Sequence, residues 1–120
     1  MTWKYFKLEE FACKCCGENK ISPRLVDILD ELRLRVGSPL PVSSGYRCPA
    51  HNALTSYTGE DGPHTTGLAV DLHVDRKLAY DVLRVAFELG FTGIGVQQKG
   101  SARYLHLDLL KDGRPTIWSY

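Results

Sequence analysis

The sequence predicts an α+β fold: a largely antiparallel sheet with helices packed on one of its faces. Three observations carry that expectation. Leu68 to Val74 and Tyr104 to Leu109 alternate apolar and polar residues with a period of two, as half-buried strands do. Leu25 to Val36 and Leu78 to Leu89 instead repeat apolar residues at helical spacing. Strands and helices follow no regular βαβ rhythm, and the later strands are joined by short turns, which favours antiparallel pairing. With 120 residues and 43% hydrophobic content there is enough for one core but not two, so residues 1–120 are expected to form a single domain.

Composition narrows the classes of function. The formal net charge is +1 and no run of Lys or Arg dominates, so the electrostatic footprint of a nucleic-acid binder is missing. The stretch Met1 to Lys7 lacks the apolar segment of a signal peptide, and no apolar run is long enough to span a bilayer. The expectation is a chain made in the cytoplasm without a membrane span, acting as a monomer. In a reducing compartment its four cysteines favour thiols, metal ligands or small buried residues over disulfides.

In chain order, Lys7 to Ala12 reads as a short helical turn leading into the crowded cluster Cys13-Lys14-Cys15-Cys16-Gly17. Ser22-Pro23 then reads as an N-cap with proline at the first helical position, and Gly37 as the C-cap of the helix between them. Pro39 to Ser44 suits only a short edge strand, because proline cannot donate to a ladder, and a turn over Ser44 to Arg47 follows it. Pro49 opens a short helix through Tyr57, and Thr58 to Pro63 is an exposed loop before the central strand. Asp75 is placed to cap the second long helix, which ends at Gly90. Phe91 to Val96 is a glycine-interrupted strand, Lys99-Gly100-Ser101 a turn into the Tyr104 strand, and Lys111 to Arg114 a hairpin turn before a last strand, Thr116 to Tyr120.

The alternation has a chemical consequence. Asp71 and His73 share the polar face of one strand, and His106 and Asp108 share that of another. Catalytic zinc takes three N or O ligands and leaves one position for water, a set that His64, Asp71 and His106 can supply. Six residues separate His64 from Asp71, enough for a turn to fold back over the strand. Each histidine alone is more often an ordinary residue; the joint pattern is what raises the weight.

These residues resemble a known family: the zinc D-alanyl-D-alanine carboxypeptidases and their relatives. Those relatives include vancomycin-resistance dipeptidases, phage L-Ala-D-Glu endolysins, murein endopeptidases and the hedgehog signalling domain. The resemblance lies in Ser44-Gly45-Tyr46-Arg47-Cys48-Pro49-Ala50-His51-Asn52, in His64-Thr65-Thr66-Gly67-Leu68-Ala69-Val70-Asp71, in Leu105-His106-Leu107-Asp108, and in Arg114 to Tyr120. It implies that His64, Asp71 and His106 bind zinc and that Arg47 holds a substrate carboxylate. A planar guanidinium is suited to that grip through two parallel hydrogen bonds. Ser44 and Asn52 are lesser candidates for polar contacts in the same pocket. The alternative for Arg47 is a surface arginine in a turn.

Several relatives carry an acid three residues before the last histidine ligand, where this chain has Arg103. Asp108 is the expected substitute, either taking a proton from the zinc-bound water or orienting His106. His73 is placed by the same alternation to stabilise the oxyanion, and Glu60 or Asp61 could swing in from the loop before His64. Cys13, Cys15, Cys16 and Cys48, with His51, could close a second, structural zinc site; a disulfide from Cys48 or reduced buried thiols are the alternatives.

The reading is therefore a zinc metallopeptidase that hydrolyses a bond in the peptidoglycan stem peptide with a zinc-activated water, as a carboxypeptidase or an endopeptidase. Such a protein acts on the cell wall and belongs to a bacterium or a phage. The alternative is a non-catalytic zinc-containing module that binds a peptide or wall fragment.

Overall fold

The structure is a computed structural model that describes residues 2–120; Met1, which opens the N-terminal stretch considered above, lies outside them. The elements run α1 (Pro23–Val36), β1 (Val42–Ser44), α2 (Pro49–Thr55), β2 (Ala69–Leu72), α3 (Arg76–Glu88), β3 (Gly93–Gln97), β4 (Tyr104–Asp108) and β5 (Thr116–Ser119). Short 3-10 turns stand at Leu8–Phe11 and Pro63–Thr66. The fold is α+β, as expected. Among the described residues no helix is long and apolar enough to cross a membrane.

The five strands form one sheet in the order β1-β2-β4-β3-β5. β1, β2, β4 and β3 pair antiparallel in turn, but β5 lies parallel to β3, so the sheet is mixed. This corrects the expected hairpin at Lys111 to Arg114. Both edges of β4 are already occupied, by β2 and β3, so the strand that follows cannot fold back on it. The chain crosses to the free edge of β3 and, reversing direction after β4, runs the same way as β3.

One face of the sheet is the core. Val70 and Leu72 of β2, Leu105 and Leu107 of β4 and Ile94 of β3 join Leu25, Leu29 and Leu32 of α1 and Val82 and Val85 of α3 in a single buried cluster. Each such side chain contributes about 1.5–3 kcal/mol on burial. α1 ends as expected, with Gly37 in the left-handed conformation at φ 75°. α1 and α3 occupy this face; α2 instead packs against the Pro63–Thr66 turn and lines the cleft on the other side, so the expectation of helices on one face holds for the two long helices only. The other face of the sheet carries the polar residues of the same strands.

Candidate active site

Register places the donors. In the β2–β4 ladder Asp71 is the direct partner of His106, so the two side chains emerge side by side on the face away from α1 and α3. His64 arrives from the Pro63–Thr66 turn, whose own carbonyl at His64 accepts from the Arg47 N–H at 3.2 Å and whose C-terminal end is anchored. Gly67 closes it at φ 77°, where a Cβ would collide with the Lys20 carbonyl, and the Gly67 carbonyl accepts from the Ser22 N–H at 2.9 Å.

The candidate ligand atoms of His64, Asp71 and His106 all lie within 4.8 Å of one another, and all three residues are buried. Asp71 Oδ1 stands 3.2 Å from His64 Nε2 and 3.2 Å from His106 Nδ1. The other nitrogen of each ring is committed elsewhere: His64 Nδ1 donates to the Gly45 carbonyl at 2.8 Å, and His106 Nε2 donates to Asp108 Oδ2 at 2.7 Å. Each imidazole is thus fixed in the tautomer that turns a lone pair toward Asp71, the arrangement metal-binding histidines require. Two neutral imidazoles and a carboxylate suit zinc, so the residues present fit the ion the family implies. Without an ion, burial would raise the Asp71 carboxyl, but once His106 and His64 are protonated they donate to it and hold the group well below the usual carboxylate range; the neutral tautomers are those the rings take with a metal ion between them.

The donors sit at the base of an open cleft of about 210 Å³. Arg47 forms part of its wall. Its Nε donates to Ser44 Oγ at 3.1 Å, Nη1 to Asn52 Oδ1 at 3.2 Å and Nη2 to Asp71 Oδ2 at 3.4 Å. Of five guanidinium N–H groups three are engaged, which leaves two for a ligand in the cleft. Ser44 and Asn52 therefore meet Arg47 itself, and Asn52 also ties down the following loop through Thr58 Oγ1 and the Gly59 carbonyl, at 2.8 and 2.6 Å.

The expected proton carriers are placed differently. Asp108 is 0% exposed and lies behind His106, not in the cleft. Its oxygens accept from His106, from Arg114 Nε and Nη2 at 3.0 and 2.8 Å, and from the Leu110 N–H. That environment sets Asp108 against His106, where the orienting alternative needs it, and apart from the cleft, where a general base would stand. Burial would raise its carboxyl, but His106 and Arg114 hold it low. His73 is exposed and faces a shallow groove with Pro39 and Pro41, on which its N–H donates to the Pro41 carbonyl. β2 ends at Leu72, and His73, although still opposite the core residue Val74, is not among the residues lining the cleft, so the oxyanion role expected of it does not fit its position. Arg103 turns to the Gly100 carbonyl, while Glu60 and Asp61 are exposed and outside the cleft lining.

Four residues given no role from the sequence complete the site: Tyr104, Arg114, Trp118 and Tyr120. Trp118 packs beside the His106 ring, centroids 5.1 Å apart, and the Arg114 guanidinium lies 5.2 Å above the Trp118 ring. Room for this stack comes from β3: at Gly95 a Cβ would approach Trp118 Nε1 to 2.8 Å, and at Gly93 it would strike the Asp108 carboxylate. The interrupting glycines of β3 thus accommodate the site. Burial raises the Tyr104 and Tyr120 phenols above their ordinary value, so both line the cleft as hydrogen-bond donors. The available signal was period two, which puts Tyr104 on the face of His106 and Trp118 on that of Tyr120.

The structure is similar to the crystal structure of the L-Ala D-Glu endopeptidase ChiX of Serratia marcescens, with a TM-score of 0.54 and 24% identity over 75% of this chain and 80% of that one. No curated protein matches the sequence. A family profile described as Peptidase M15 matches residues 4–108, most of the chain, and the chain belongs to that peptidase family.

Proposed function

We propose that the protein is a zinc-dependent peptidase that hydrolyses a bond of the peptidoglycan stem peptide. The observation that carries this reading is the convergence of His64, Asp71 and His106 at the base of a cleft whose wall is Arg47. Zinc held by these three side chains would supply Lewis acidity to a scissile carbonyl and acidity to water. The protein's own groups do the rest. Gly45 and Asp108 fix the two imidazoles, Arg47 offers its two free N–H groups to a carboxylate of the peptide, and the Tyr104 and Tyr120 hydroxyls can donate to a developing oxyanion. The Serratia enzyme, named for cutting L-Ala–D-Glu, supports action on the cell wall and an endopeptidase; the Arg47 fork supports a substrate with a free carboxylate, for which D-alanine ends lead.

Digestion of purified muropeptides tests the reading. Free D-alanine marks a carboxypeptidase, and a cut between L-Ala and D-Glu marks an endopeptidase. Amidation of the C-terminus should slow the first and spare the second. A second reading, a pocket that holds a wall peptide without cutting it, is favoured by one observation: Asp71 is the sole carboxylate among the described residues lining the cleft. Zinc-loaded protein that binds muropeptides and releases no product would establish that reading instead.

A further inference from the structure

We propose that Cys13, Cys15, Cys16 and Cys48 hold a second zinc ion, structural in role, which fastens the N-terminal segment to the turn that carries Arg47. Their four sulfurs all lie within 4.8 Å of one another, with Cys13 and Cys15 at 3.6 Å and Cys15 and Cys48 at 3.4 Å. A zinc tetrahedron with Zn–S bonds of about 2.3 Å has sulfur–sulfur edges of about 3.8 Å. The donors converge on one point, where a disulfide would bring together two and exclude two. Packing does not account for them either, since Cys15 and Cys16 are exposed thiols.

The backbone is shaped for the same purpose. Residues 13–17 wind into a knuckle closed by Gly17 N–H to the Cys13 carbonyl at 2.8 Å and Cys13 N–H to the Glu18 carbonyl at 2.7 Å, with Gly17 at φ 77°. Two sulfurs receive backbone N–H groups, Cys13 from Cys48 at 3.3 Å and Cys48 from His51 at 3.5 Å, contacts that stabilise thiolate charge. His51 contributes this N–H, and its imidazole is outside the group of four, which corrects its expected role as a fifth candidate ligand. Binding converts thiols to thiolates and releases their protons to solvent. Four protein donors leave no open position, so the site is closed to substrate and serves the fold.

Its place in the fold gives it a task. Cys48 follows Arg47 directly and precedes α2, which carries Asn52, while the Tyr46 N–H donates to the Phe11 carbonyl at 2.8 Å. The knuckle thus braces the cleft wall on which Arg47 and Asn52 stand. None of this depends on the reaction proposed above.

Cobalt substitution of the intact protein tests it. Thiolate ligation produces an intense sulfur-to-cobalt charge-transfer band that the His64, Asp71 and His106 donors cannot produce, so wild type should show it. A His64→Ala/His106→Ala variant should keep it with about one metal ion per chain. Cys15→Ser/Cys16→Ser should abolish it, and in zinc-loaded wild type all four thiols should resist a thiol reagent until a chelator is added. Absence of the band in wild type, immediate reaction of the thiols in the zinc-loaded protein, or an intact mass showing a disulfide would each overturn the proposal.

Discussion

His64, Asp71 and His106 come from two paired strands and a turn locked beside them, whereas the four cysteines come from a loop knuckle and the residue before a short helix. Behind the first set stand dedicated partners: the Gly45 carbonyl, Asp108 and, behind Asp108, Arg114. Behind the second, among the described residues, stand backbone N–H groups and the chain's own turns. In the proposed reading the first set keeps a position open for chemistry; such a site cannot rely on its ion for order, and its donors are ordered by the protein beforehand. A closed four-thiolate site can be ordered by the ion itself.

The sharpest way to break that contrast is to empty the open site alone. His64→Ala/His106→Ala should reduce muropeptide turnover to the uncatalysed background and lower bound zinc from about two ions to about one, by elemental analysis. Loss of both ions would mean that the two clusters are one cooperative unit.

The supporting partners come next. Arg114→Met should leave the buried Asp108 carboxylate with only His106 and the Leu110 N–H and no guanidinium charge, and destabilise the fold by about 3–5 kcal/mol in urea unfolding. Asp108→Asn should weaken zinc at the open site by about 10–100-fold, measured by competition with a chromophoric chelator. Unchanged affinity with a turnover loss of about 10²–10⁴ would instead return Asp108 to proton transfer.

Substrate contacts should matter less. Arg47→Lys keeps the charge but loses the fork, and should raise KM for peptides with a free carboxylate by about tenfold, on the scale of one charge-assisted hydrogen bond. Gly95→Ala should touch stability more than turnover: its methyl must displace the Trp118 ring at a cost of about 1–3 kcal/mol, visible as a lower thermal midpoint.

Periodicity explains which of these features were legible beforehand. Val70, Leu72, Leu105 and Leu107 declare the core face, and the same alternation puts Asp71 and His106 on the other face, because a strand has only two sides. His73 shows what that logic leaves out: it stands opposite the core residues Leu72 and Val74, as alternation requires, yet lies past the end of β2 and outside the cleft. The parallel placement of β5 was hidden because it depends on which sheet edges remain free, which only the assembled order reveals. Asp108 was put on the correct face, yet its burial depends on Arg114 and on the gap at Gly93, neither of them near it in sequence.

The nearness of Trp118 to His106 also gives the cleft an optical reporter. The chain has two tryptophans, and the other, Trp3, is held by Asp27 on α1, in the helical layer across the sheet. A Trp3→Phe chain would have one tryptophan, excited apart from the tyrosines at long wavelength, seated against a candidate ligand and lining the cleft. Its emission would register both the filling of the three-donor site and the arrival of a peptide, so occupancy could be titrated without any bond being cut.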